Sequence, residues 1–261
     1  MILFTNKNCF NWILKSKNAN KKAYLCGMNN LGKIVVLYED NHLIAINKPA
    51  GSLVQGDETG DTPISEWVKE YIKIRYNKPG DVYLGTIHRL DRPVSGVCLF
   101  ARTSKALERM NAMFAAREVE KIYWAVLESR PEEFSGTLHH FLEKDAAKNL
   151  THAYVKNRTG NAKPAELSYE MVGEIANNYF LEVHPKTGRP HQIRAQLSKI
   201  GCPIRGDLKY GASKPLEDKS IALHARSLTF MHPVKLEQVT ITADPPKIFE
   251  FWRQFADMYR K

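Results

Sequence analysis

The sequence predicts an α+β fold, a single domain built on a mixed, largely antiparallel β-sheet with flanking helices. Three observations lead there. Strand-like runs outnumber helical ones. The two kinds do not alternate regularly, which disfavours a doubly wound parallel sheet. No linker and no repeat of fixed period divides the chain after residue 28. At 261 residues the chain can bury a substantial core as one domain.

The elements follow in order. "KIVVLYED" and "HLIAINKP" are short β-rich runs joined by a turn at Asp40-Asn41. Gly, Asp and Pro between Gly51 and Pro63 mark a loop. "ISEWVKEYIKIRY" places Ile64, Trp67, Val68, Tyr71 and Ile72 on one helical face. "TIHRLDRPVSGVCLFAR" begins polar and ends as an apolar strand, with Cys98 as a small core residue. "TSKALERMNAMFAARE" reads as a helix capped by Thr103 or Ser104, with Leu107, Met110 and Phe114 inward. "VEKIYWAVLE" is a strand, and "GTLHHFLEKD" with "THAYVKN" forms a hairpin arm in which His139 and His140 read as a solvated turn. "AELSYEMVGE" and "NYFLEVHP" alternate and pair. "RPHQIRAQLSKIG" sets Ile193, Leu197 and Ile200 at helical spacing, and Gly201 suits the position after the helix end. "PPKIFEFWRQFADMYRK" is a final amphipathic helix with Pro246 at its entry.

Hydrophobic content of 43% and charged content of 25% are ordinary for a soluble globular protein. A net charge of +10 points to a polyanionic partner, nucleic acid first and an anionic membrane surface second. Cys9, Cys26, Cys98 and Cys202 form no C-x-x-C and no half of a zinc site, which fits a reducing cytosol. No apolar run approaches the roughly 18 residues of a membrane span, and the N-terminus lacks the layout of a secretion signal. The expectation is a cytoplasmic protein with no metal and no membrane partner. Phosphate-cradling loops, H-E-x-x-H spacing and a nucleophile elbow are missing from the sequence.

Two dense polar clusters remain. One is His88-Arg89-Leu90-Asp91 with Ser95-Gly96. The other is "HPKTGRPHQIR", residues 184 to 194, followed by "GCPIRGDLKYG", residues 201 to 211. The second sits at a loop-to-helix junction, where free backbone N–H groups attract anions. The plainer alternative is a turn at Thr187-Gly188 with a local cap from His191. Asp91 is likewise either a turn residue or a carboxylate kept ionised by neighbouring cations.

"HRLDRPVSG", "EKIYWAV", "PKTGRPHQIRAQL" and "GCPIRGDLKYG" together resemble the RluA family of RNA pseudouridine synthases. "VLYEDNHLIAINKPAGSLVQ" and "IALHARSLTFMHP" extend the resemblance from about Ile34 to Pro233. It implies an RNA-binding cleft and a cofactor-free isomerase, with Asp91 as catalytic aspartate, Arg194 as its ion-pair partner and Tyr123 stacked on the target uracil. Leu90 and Ile193 become pocket wall, and Arg89 faces the space a flipped base vacates. His88, Lys121, Arg189, His191 and Gln192 become RNA contacts. Val94 stands where relatives usually have Thr, and Gln55 where many have His. The implied partner is ribosomal or transfer RNA, met by a monomer at a loop or bulge uridine.

Residues 1–27 are rich in Lys and Asn, hold no acidic residue and follow no period. Residues 1–32 are expected to be too few and too irregular for the small RNA-binding domain that many members of that family carry. The expectation is a catalytic domain over residues 28–261 with its folded start near Met28; a basic RNA-contacting arm is the rival reading.

The implied reaction breaks the uracil–ribose bond and remakes it carbon to carbon. A carboxylate suits it by attacking the pyrimidine ring, by attacking the anomeric carbon, or by assisting removal of the 2′-proton. It must be charged where water is excluded; burial opposes that charge and a nearby Arg favours it. Arg194 is expected as a bidentate partner of Asp91, and Arg92 as a solvated residue. A glycoside hydrolase usually needs two carboxylates, and Asp207, the second one available, reads as part of a structural turn. The alternative function is a non-catalytic RNA-binding or ribosome-assembly factor on the same fold, against which the intact Asp91, Tyr123 and Arg194 set argues.

Overall fold

The computed structural model describes residues 34–157 and 160–259. The expectations for residues 1–27 and for a start at Met28 lie outside the described residues.

β1 (Val35–Glu39) and β2 (Leu43–Lys48) form the first hairpin. Asp40 closes its turn, its carboxylate accepting from the N–H groups of His42 and Leu43 at 2.8 Å each. α1 (Ile64–Arg75) follows the loop and buries Ile64, Val68 and Ile72. The short β3 (Gly85–Thr86) leads through the Asp91 loop into β4 (Ser95–Ala101). α2 (Ser104–Ala116) is capped by Thr103, whose hydroxyl accepts from the Ala106 N–H. β5 (Glu120–Leu127), β6 (Ser135–Asp145), β7 (Leu150–Tyr154), β8 (Lys163–Ile175) and β9 (Asn178–Pro185) form a run of strands. α3 (Gln192–Lys199) follows, then a 3-10 turn at Leu208–Tyr210, β10 (Leu223–Met231), β11 (Gln238–Thr242) and α4 (Glu250–Met258).

The strands form one sheet in the order β1-β2-β4-β10-β5-β9-β8-β6-β7, with β11 on β10 and β3 on β4. Every named pair is antiparallel except β4 with β10. That parallel pair is short, joining His224 to Ser95 and Ala225 to Gly96. The expected mixed, largely antiparallel sheet is therefore present.

β4 is buried on both faces, which explains its continuous apolar reading. Cys98 and Phe100 join the core that holds α1 and α4, while Val97, Leu99 and Ala101 join the one under α2. Leu107 and Phe114 of α2 pack on that second core around buried Met110. α3 closes a third, smaller core of Leu142, Ala165, Ala195 and Tyr210.

Two local expectations are corrected. His139 and His140 lie within β6, not in a turn, and His140 is buried with Gln196 Nε2 3.1 Å from its Nδ1. α4 starts at Glu250, so Pro246 precedes it by several residues. Its later turns dock on the sheet, where Phe255 and Tyr259 stack on Trp124 at 4.4 and 5.0 Å.

Candidate active site

The pocket opens where β4, β10 and β5 meet. Its volume is about 130 Å³, and Asp91, Tyr123, Arg189, Ile193 and Arg194 are among its lining residues. Asp91 sits on the loop before β4. Its carbonyl accepts from the Val94 N–H at 3.0 Å, so it does make a turn, yet its side chain faces the pocket. The loop is held from below by Lys48, which is fully buried at the end of β2. The Lys48 ammonium donates to the carbonyls of Pro49, Ser52 and Arg92 at 3.1, 2.9 and 3.3 Å. Burial pulls its pKa down to about 8, against the pull of Cys98 and Asp91. Arg92 is not simply solvated. It donates from Nε to the Gly51 carbonyl at 3.0 Å and pairs with Asp61 at 2.5 Å, tying the preceding loop to the Asp91 loop.

Arg194 projects from α3, which is buried over most of its length. The turn before α3 explains how so polar a stretch stays there. Gln192 accepts from the Thr187 hydroxyl at 2.7 Å and the Arg189 N–H at 3.0 Å, and donates to the Glu166 carbonyl at 3.0 Å. Thr187 in turn accepts from the Glu166 N–H at 2.9 Å. This knits the turn to the edge of β8 and satisfies groups whose burial would otherwise cost free energy. His191 occupies the position before the helix with φ of 52° and makes no side-chain cap, so the plainer alternative of a local cap does not hold.

The Arg194 guanidinium meets two carboxylates. It gives Asp207 a two-point contact, Nε to Oδ2 at 2.7 Å and Nη2 to Oδ1 at 2.8 Å. Asp91 receives one bond, Nη1 to Oδ2 at 3.0 Å. The expectation that Arg194 grips Asp91 bidentately is thus corrected: Asp207 holds the Nε–Nη2 edge in a two-point contact, and Asp91 meets Nη1 alone. Asp207 is 1% exposed and does belong to a turn, accepting from the Tyr210 N–H at 2.9 Å through its carbonyl. Tyr210 lies under the guanidinium at 4.8 Å. Burial opposes the charge on Arg194, but Asp207 and then Asp91 outweigh it and raise its pKa.

Tyr210 also leads back to Asp91. Its hydroxyl accepts from the Thr151 N–H at 2.9 Å and lies 2.8 Å from His191 Nδ1. Either group can be the donor of that second bond, according to the His191 tautomer. Nε2 stands 3.8 Å from Asp91 Oδ2. Burial pushes the His191 pKa below the ordinary imidazole value, against the pull of Asp91.

Tyr123 lies on β5, opposite Ala225 of β10 and Val183 of β9. Burial, then the charge of Asp91, pushes its phenol well above the usual range, so it is neutral. Leu90 and Ile193 form apolar wall, and Val94 and Leu223 join them. Arg89 is exposed at the rim and Lys121 half-buried beside it.

The structure thus brings together Asp91, Tyr123, Arg194, Arg89, Lys121, Arg189, His191, Gln192, Leu90 and Ile193 around one pocket. It leaves out His88. That ring stacks on Phe114 at 5.4 Å, and its Nε2 accepts from the Leu99 N–H at 3.1 Å. Burial, then Lys121, pushes its pKa down to about 4. His88 is therefore a neutral part of the scaffold and not a rim residue. Gln192 is present but its amide is spent on the turn. Sequence reasoning misses the support given by Asp207, Tyr210 and Lys48, although "GDLKYG" and "NKP" lie inside the family-like motifs. Among the described residues no group of three or more His, Cys, Asp or Glu is placed to hold a metal ion.

Comparison with known proteins identifies the family. A family model described as RNA pseudouridylate synthase matches residues 42–199. A ribosomal large subunit pseudouridine synthase C of Rickettsia bellii is 34% identical over 216 residues, covering 82% of this chain and 69% of the relative. A tRNA pseudouridine synthase C of Haemophilus ducreyi is 35% identical over 222 residues, covering 80% and 89%. The structure of human RNA pseudouridylate synthase domain containing 4 shares the fold, with a TM-score of 0.72 at 24% identity over 91% of this chain and 98% of that one. The chain belongs to the RNA pseudouridylate synthase family, enzymes that isomerise uridine in RNA to pseudouridine.

Proposed function

We propose that this chain isomerises one uridine in a loop or bulge of ribosomal or transfer RNA, with Asp91 as the reacting carboxylate. The observation that carries the reading is Asp91 hydrogen-bonded to Arg194, whose guanidinium is itself fixed by Asp207. Such a carboxylate is aimed before substrate arrives, so little reorganisation is left for the reaction. The flipped uracil stacks on Tyr123 between Leu90 and Ile193. A neutral phenol serves as a stacking surface and hydrogen-bond donor, not as a resting base. Extracting the base costs a few kcal/mol of unstacking, least in a loop. Arg89, Lys121 and Arg189 at the rim meet the backbone phosphates. Action as a monomer and a cytoplasmic location, where such RNAs are found, complete the reading.

The test is Asp91→Asn. RNA from a strain lacking the gene is incubated with wild type or variant, and pseudouridines are mapped by chemical modification and reverse-transcription stops. Wild type restores one missing site; the variant binds the RNA within about twofold of wild type and makes none. Turnover by the sequence-verified variant overturns the assignment of Asp91. Release of free uracil by wild type marks a hydrolase, and no product from wild type marks a binding factor.

A further inference from the structure

A second groove, about 370 Å³ in volume, lies beside the catalytic pocket. Its floor is a sheet face. Lys163 of β8 pairs with Leu142 of β6, and Lys144 of β6 pairs with Thr151 of β7. Residues directly opposite across antiparallel strands project to the same side, so these four share one face. Arg189 and Pro190 form the opposite wall. Arg189 lines both cavities, so one guanidinium stands on the border between them.

The charges in the groove are unbalanced. Among the described residues that line it, Glu143 is the one acidic residue against Lys144, Lys163 and Arg189. Both lysines are exposed, and among the described residues neither side chain has a hydrogen-bond or ion-pair partner. Among the described residues the Arg189 guanidinium commits only Nε, to the Pro164 carbonyl at 3.2 Å. Among the described residues no aromatic side chain lines the groove, and these residues offer no platform on which a base could stack. Cations without a stacking surface favour a phosphodiester over a base. The floor is also rigidly linked to the catalytic carboxylate, since the Thr151 N–H bonds Tyr210, Tyr210 bonds His191, and His191 stands beside Asp91.

We propose that this groove is the subsite for a phosphodiester next to the target uridine, recognised by its charge and not by its base. The inference rests on the first pocket being the uridine pocket. It makes the flanking position sequence-tolerant, and it fixes the register of the RNA strand against Asp91.

The test is a cycle between protein and RNA. The probe is a pentaribonucleotide with one central uridine, made as all-phosphate RNA and as versions with one phosphate at a time replaced by a neutral methylphosphonate. Affinity for the wild type and for the Lys144→Gln, Lys163→Gln double variant is read by fluorescence anisotropy across a salt series. At one phosphate flanking the uridine, the two changes are expected to be non-additive: each weakens binding severalfold, and together they weaken it little more. The salt slope of the double variant falls by about 0.7 for each phosphate that the lysines no longer neutralise. Lys144→Arg with Lys163→Arg restores both readouts, which separates charge from folding. Additive effects at every phosphate, or an unchanged salt slope, overturn the proposal. Replacing the neighbouring base leaves affinity within about twofold of the parent; a larger change means the groove reads bases and also overturns it. Failure of the uridine reading shows instead in the Asp91→Asn product assay, which this binding cycle does not use.

Discussion

Arg194 serves two carboxylates that do different work, and burial separates them. Asp207 is 1% exposed, whereas the Asp91 side chain is 28% exposed. Removing one partner of a buried pair leaves an uncompensated charge and costs on the order of 3 to 5 kcal/mol. A partly exposed single-point pair contributes about 1 kcal/mol or less. Asp207→Asn is therefore expected to destabilise the fold by several kcal/mol in urea titrations at pH 7, and Asp91→Asn by about 1 kcal/mol or less. Equal losses in the two titrations contradict this division of labour. The sequence exposed the pair Asp91 and Arg194 through the resemblance, but not the competition for the guanidinium. Which carboxylate takes the two-point face depends on where the turn at Asp207 lies in space, and the helix and loop between Arg194 and Asp207 leave that open.

At the scale of elements, the parallel contact of β4 with β10 places the Asp91 loop. Gly96 has φ of +116°, and a Cβ there would stand 2.2 Å from the Ala225 carbonyl oxygen. Both the backbone angle and the space demand glycine. Gly96→Ala is expected to destabilise by about 3 kcal/mol or more and to lower turnover with it, since the strand and its loop must shift together. Thermal melting beside a pseudouridine assay checks it; a variant that melts like wild type refutes the close approach. Elements with strong local signals were legible: Thr103 as a cap, Gly201 with φ of +77° after α3, and the hairpin turn at Asp40. The start of α4 was not: the helix begins at Glu250, several residues past the Pro246 that the local preference for Pro at a helix entry points to.

For the whole molecule, buried neutral histidines set the response to acid. His224 is fully buried, with its Nε2 donating to the Ala243 carbonyl at 3.0 Å and its Nδ1 2.8 Å from Ser95 Oγ. Burial pushes its pKa down to about 4, despite the Ala243 carbonyl. Below the ordinary value near 6.5 the unfolded chain takes up a proton that the folded chain refuses. Stability is thus lost as pH falls from about 6.5 toward 4, by on the order of 3 kcal/mol for this group. His88, pushed to about 4 by burial and Lys121, acts in the same window. Urea midpoints between about pH 6.5 and 4.5 should fall with acid, and His224→Gln should flatten that dependence. A slope unchanged by the substitution removes His224 from the account.

The sequence by itself determined the strand-rich α+β class, the order of the elements, and, through motifs resembling a known family, the residues gathered at the pocket. Those features rest on short-range patterning: alternation, helical spacing, caps and motif order all lie within a few residues of one another. Only the tertiary structure decided that Asp207 anchors Arg194, that Lys48 supports the Asp91 loop, that His88 belongs to the scaffold, and that a cationic groove borders the pocket. Each of these depends on distances between segments remote in the chain, and on which of several polar groups wins a shared partner once water is excluded.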